Sequence, residues 1–127
     1  MSTNIPRVAA LRLIDDIPII DVIGEVDLAN RAALEDAIRA AAEEDVGAVI
    51  LSLEQATYFD SAIIHVIMTA RARLQTNRQH LVVIGPAFPA GRRILEIAGL
   101  LDPKTCFDTP DAALVAAKAI HADRRSA

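Results

Sequence analysis

Residues 47–85 read GAVILSLEQATYFDSAIIHVIMTARARLQTNRQHLVVIG. The hydrophobic rhythm changes twice along this stretch. AVILSL, residues 48–53, follows Gly47 and is almost continuously apolar, as a strand covered on both faces would be. From about Ser61 to Gln75 the chain is too long for one strand and reads as a helix, with the polar pair Asp60-Ser61 at its start. Leu81–Ile84 is a second short apolar run, stopped by Gly85-Pro86. Strand, helix and strand in this order form a crossover unit, so the two strands run parallel.

Upstream, Val8–Leu13 and Ile17–Gly24 flank the turn-like Asp15-Asp16 and are expected to pair as an antiparallel hairpin. Pro18 fits only near the start or at the edge of such a strand. Leu34, Ala37, Ile38, Ala41 and Ala42 then repeat at helical spacing, opposite Glu35, Asp36, Arg39 and Glu43. Asp27 and Asn30 both suit the N-cap of that helix. Downstream, Pro89–Ala98 is expected to be helical with Gly99 beyond its end, and Thr105–Phe107 a short strand. Residues 110–122 form a last helix with Pro110 near its start, leaving ADRRSA as a frayed tail. The order is ββαβαβαβα. The expectation is a single α/β domain over residues 1–127, with four or five strands in a mostly parallel mixed sheet, four helices and a core at about 7–122.

Composition limits the function. The chain has 127 residues, of which 53% are hydrophobic, enough for a core without disulfides. A formal charge of -4 and scattered basic residues make a poor match for a phosphate backbone, and 3% aromatics leave few stacking platforms. Direct nucleic-acid binding is not expected. Charged residues interrupt every apolar run before membrane-spanning length, and the N-terminus lacks a signal core, so no membrane insertion and a cytoplasmic location are expected. Cys106 is the only cysteine; it is expected to serve as a small apolar residue in or near a strand, with Lys104 as its nearby charge.

Enzymatic signatures are missing: there is no GxGxxG, no phosphate-binding GxxxxGK loop, no GxSxG and no HExxH. His80 and His121 are expected to be solvated. His65 lies four residues after Ser61, so the two share a helix face. An Asp60-Ser61-His65 catalytic group is disfavoured, because the adjacent Asp60 is poorly placed to orient the histidine. No enzymatic activity, metal or cofactor is expected. Asp60 and Ser61 are expected to cap the helix, where a phosphate would meet free N–H groups and the positive end of the helix dipole.

Several segments, taken in order over almost the whole chain, resemble the STAS domain family of sulfate transporters and anti-sigma-factor antagonists. They are GEVDLAN (24–30), VILSL (49–53), the loop into DSA (60–62), the GP…RRILEIAGL region and the closing PDAALVAAK. The resemblance implies a regulatory binding protein that captures an anti-sigma factor, itself a serine kinase of the GHKL type, and is switched by phosphorylation. It places the phosphoacceptor at Ser61 and the partner-binding surface at Glu25, Asp27, Asn30, Asp60, Ala62 and Ile63. A homodimer is compatible with it. The family commonly reads D-S-S-G-L-G or D-S-S-G-I-G where this chain reads D-S-A-I-I-H. Ala62 leaves Ser61 as the one acceptor in the motif, and Ile63 in place of glycine is expected to narrow access to it. The alternative is a STAS scaffold, never phosphorylated, in a stress-signalling complex or a phospholipid ABC transporter.

Overall fold

The structure is a computed structural model and describes residues 8–43 and 45–126. It begins with a hairpin of β1 (Ala9–Ile14) and β2 (Ile17–Val22). Asp15 and Asp16 both take left-handed backbone angles, φ 51° and 68°, which match the twist of a two-residue hairpin turn. Pro18 is buried beside Leu13, but parallel pairing with the next strand of the sheet starts only at Ile19, so the missing N–H breaks no bond there. Asp21 is a buried carboxylate in this sheet, and Arg12 Nε satisfies it at 2.7 Å from across the hairpin.

After β2 come β3 (Gly24–Val26), α1 (Arg31–Ala41), β4 (Ala48–Ser52), β5 (Ala56–Phe59) and α2 (Ala62–Thr76). The chain closes with β6 (His80–Ile84), α3 (Pro89–Ile97), β7 (Cys106–Phe107) and α4 (Pro110–Ser126). The main sheet has the order β1-β2-β4-β6-β7, parallel from β2 onward. Its pleat divides the apolar runs between two cores. Ile20, Val22, Val49, Leu51, Leu81 and Val83 face Leu34 and Ile38 of α1, Ile63, Val66 and Ile67 of α2, and Leu95 of α3. Ile17, Ile19, Ala48, Ile50, Val82 and Ile84 face Ala113 and Ala117 of α4. Covering on both faces is why these strands read as unbroken apolar runs.

Two short strands were not expected. At Gly24 (φ +78°) the chain leaves the main sheet, and β3 pairs in parallel with β5 as a separate two-stranded sheet. Only Val26, Ala56 and Phe59 are buried in them, and a pattern that sparse carries no strand signal.

The C-terminal helix also differs from expectation. In place of a frayed tail, α4 continues through Ser126. The Arg124 guanidinium donates to the carbonyls of Asn77 and Arg78 at 2.8 and 3.0 Å, and His121 Nδ1 accepts the Gly47 N–H at 3.1 Å. His121 is therefore a docking residue, not a solvated one. A Cβ at Gly47 would lie 2.8 Å from His121 Cα and 3.2 Å from the Ile120 carbonyl oxygen. Backbone cannot move aside as a flexible side chain can. Gly47→Ala is therefore expected to cost about 1–3 kcal/mol in urea unfolding, because α4 must shift off the start of β4. No helix among the described residues is long and apolar enough to cross a membrane.

Candidate functional site

The two unexpected strands build the site. Val26 of β3 is in register with Phe59 of β5. The next residues, Asp27 and Asp60, therefore leave two parallel neighbouring strands side by side. Phe59 is fully buried and meets Phe88 edge to face, with ring centroids 4.9 Å apart. This aromatic pair anchors the chain immediately before Asp60.

Asp27 and Asn30 fasten the turn into α1. Asp27 Oδ1 accepts the N–H groups of Ala29 and Asn30 at 3.0 and 3.1 Å. Asn30 returns the interaction, its Oδ1 accepting the Asp27 N–H at 2.9 Å and its Nδ2 donating to the Glu25 carbonyl at 2.8 Å. Asn30 is the N-cap by position but makes no side-chain capping bond, so the pair shape the approach to the helix and do not close its first turn.

Asp60 and Ser61 divide the work that the sequence assigned to both. Asp60 Oδ1 accepts the Ala62 N–H at 2.8 Å and so caps α2. Ser61 already has helical angles (φ −62°, ψ −11°), its side chain makes no capping bond, and the residue is exposed. Its hydroxyl is thus presented outward at the positive end of a 15-residue helix. Asp60→Ala is expected to cost about 1 kcal/mol in thermal or urea unfolding, while Ser61→Ala is expected to stay within about 0.5 kcal/mol of the parent.

Ala62 and Ile63 lie elsewhere than a docking surface. Ala62 is buried, and Ile63 is 0% exposed within the larger core. Ile63 is enclosed in the core while Ser61 is exposed, so the isoleucine does not cover the serine. On the segments that lead to Asp27 and Asp60, the exposed apolar residues are Leu28, next to Asp27, and Tyr58, next to Phe59, at 74% and 50% exposure. His65 and Met68 continue the exposed stripe along α2. Leu28 falls outside the periodic run of α1, which was the available signal for an outward apolar residue.

His65 belongs to a contact between helices that spacing alone did not reveal. Its Nε2 lies 3.8 Å from Oε2 of Glu35 on α1, and Arg31 Nε lies 4.0 Å from the same oxygen. That oxygen is buried and accepts no hydrogen bond. His65 is thus aligned with Glu35, not with Asp60 as a serine-hydrolase triad would require.

Elsewhere the chemistry is quiet. His80 is exposed at the first position of β6. Burial pushes the Cys106 thiol up, against the pull of Arg92, which keeps it protonated and a weak nucleophile. Its charged neighbours are Arg92, Asp108, Arg71 and Asp102, brought in by the fold, and not Lys104. Among the described residues, no group of three or more His, Cys, Asp or Glu side chains could hold a metal ion.

The STAS domain model matches residues 9–113, and the chain belongs to the STAS domain family. Among solved structures it is similar to an anti-sigma factor antagonist from Mycobacterium paratuberculosis, with 24% identity and a TM-score of 0.78 over 93% of this chain and 99% of that one. It is also similar to the Bacillus cell fate determinant SpoIIAA in its phosphorylated form, at 18% identity and TM-score 0.64 over 84% of this chain and 96% of that one. A sulfate transporter family protein from Wolinella succinogenes matches at 17% identity and TM-score 0.69, covering 86% of this chain and 90% of that one. At these identities the likeness establishes the fold. No curated protein sequence matches the chain.

Proposed function

We propose that this STAS domain is a partner-switching regulator of the anti-sigma factor antagonist type. In its unmodified form it binds an anti-sigma factor that is also a GHKL-type serine kinase. The kinase transfers the γ-phosphoryl group of ATP to Ser61 Oγ, ADP leaves, and the serine hydroxyl proton is released. The phosphorylated protein then detaches from the partner.

The observation that carries this reading is the separation of roles at the start of α2. Asp60 already caps the helix, so Ser61 can change its charge without unmaking the fold. Modification therefore alters the surface and leaves the scaffold in place. The docking face is formed by Glu25, Asp27 and Asn30 on one side and Asp60 and Ser61 on the other, with Leu28 and Tyr58 as exposed apolar contacts. Apolar side chains supply the binding area, and the carboxylates select a partner of complementary charge. Likeness to a phosphorylated family member supports the same reading at the level of fold.

Co-purification under native conditions tests the class of partner. Recovery of a GHKL-type kinase in a stoichiometric complex is the expected result. Recovery of an ABC transporter ATPase, or a large homomeric particle in size exclusion, would replace this reading with a scaffold or transporter-subunit role.

A further inference from the structure

Resting on the reading of Ser61 as a phosphoacceptor, we infer that His65 is the positioning residue for the phosphate, its imidazolium bridging phosphoserine 61 to Glu35 and so tying the start of α2 to α1. Ser61 and His65 are stacked in one helical turn: the His65 N–H points to the Ser61 carbonyl at 3.4 Å. Side chains at this spacing have Cβ atoms roughly 5–6 Å apart, close enough for an imidazole to meet a phosphate on the serine. The other end of the ring is already aimed, with Nε2 3.8 Å from Glu35 Oε2. That buried oxygen lacks a hydrogen-bond donor, so a small closing movement of His65 relieves an unsatisfied acceptor.

The number of donors on the ring decides the mechanism. A neutral imidazole has one N–H, whereas the protonated ring has two. With Nε2–H given to Glu35, Nδ1–H remains for the phosphate. The bridge therefore forms when the ring takes a proton from solvent, and no other bond changes.

Surrounding charges favour this arrangement. Glu25 and Asp27 lie at the end of β3, Asp60 precedes Ser61, and Glu35 and Arg31 face His65 from α1. A phosphate adds roughly −1.5 to −2 charge beside these carboxylates. The Ala62 N–H is already taken by Asp60, so the helix start offers it one donor fewer. Arg31 and a protonated His65 are the cations within this group.

The test needs no kinase. Phosphoserine is placed at position 61 during translation, and its second ionisation is followed by phosphorus NMR in the parent and in His65→Gln. An adjacent imidazolium favours the dianion, so the midpoint in the parent is expected to lie below that of H65Q by about half a unit, discounted for solvent exposure. His65→Lys is expected to restore the lower midpoint by supplying another cation, and Glu35→Gln to reduce the difference. A purely structural role for His65 would change stability without moving the phosphate. Identical midpoints in the parent and H65Q would overturn the bridge, whatever the kinase does. Failure of the partner kinase to modify Ser61 would instead count against the proposed function and leave this result standing.

Discussion

Ser61→Asp is expected to lower affinity for the proposed partner kinase by roughly 30-fold or more, with Ser61→Ala binding within about 3-fold of the parent. The asymmetry follows from what each substitution does to an exposed hydroxyl on the face that carries the Asp27 and Asp60 carboxylates. Alanine removes a small polar group that makes no capping bond. Aspartate fixes a negative charge in a face already bearing Asp27 and Asp60, and a partner matched to the neutral serine must bury or repel it. Burying a fixed charge at a contact that was shaped to a neutral hydroxyl and offers it no partner costs several kcal/mol, whereas an anion at a helix N-terminus is mildly stabilising for the fold itself. The affinity loss is therefore expected with an unchanged or slightly raised melting temperature. Calorimetric titration and thermal unfolding of the same samples check both halves. Equal affinity for the aspartate and alanine variants would remove Ser61 from the interface.

Phe59→Ala is expected to have the largest effect on stability, about 3–5 kcal/mol in urea unfolding. Phe59 is fully buried, packs edge to face on Phe88, and has Gly91 directly beside the pair. A Cβ at Gly91 would come within 2.4 Å of Phe88 Cζ and 2.8 Å of Phe59 Cζ, so the two rings fill the space that the glycine leaves open. Removing one ring leaves a cavity that close packing around it cannot fully collapse. The loss is a large share of the roughly 5–15 kcal/mol that holds an ordinary domain together. Because Phe59 immediately precedes Asp60, the variant is also expected to weaken partner binding. A loss below about 1 kcal/mol would show that the aromatic pair does not anchor the site.

The parts of the fold that were legible in the sequence are those whose signal is local. AVILSL and LVVI announce doubly covered strands by unbroken apolarity, and Leu34, Ile38 and Ala41 announce α1 by spacing. Asp15-Asp16 announces its own turn. What escaped notice depends on contacts distant in sequence. β3 and β5 bury three side chains between them and become strands only by pairing with each other. Their pairing brings Asp27 beside Asp60, so the candidate site was legible as two separate motifs but not as one surface. The split between Asp60 as cap and Ser61 as free hydroxyl depends on backbone angles that spacing does not encode. Ile63 stood two residues from the acceptor and read as a gate, yet helical rotation turns it into the core. His121 read as solvated, and the contact made by His65 had no local signal, because their partners, Gly47 and Glu35, lie 74 and 30 residues away in the chain.

Incubation of the purified protein with the proposed partner kinase and Mg-ATP, followed by mass spectrometric site mapping, tests the central claim most directly. The expected result is a single phosphate on Ser61, absent in Ser61→Ala. A phosphate on another residue, or none with a kinase shown to be active, would contradict it.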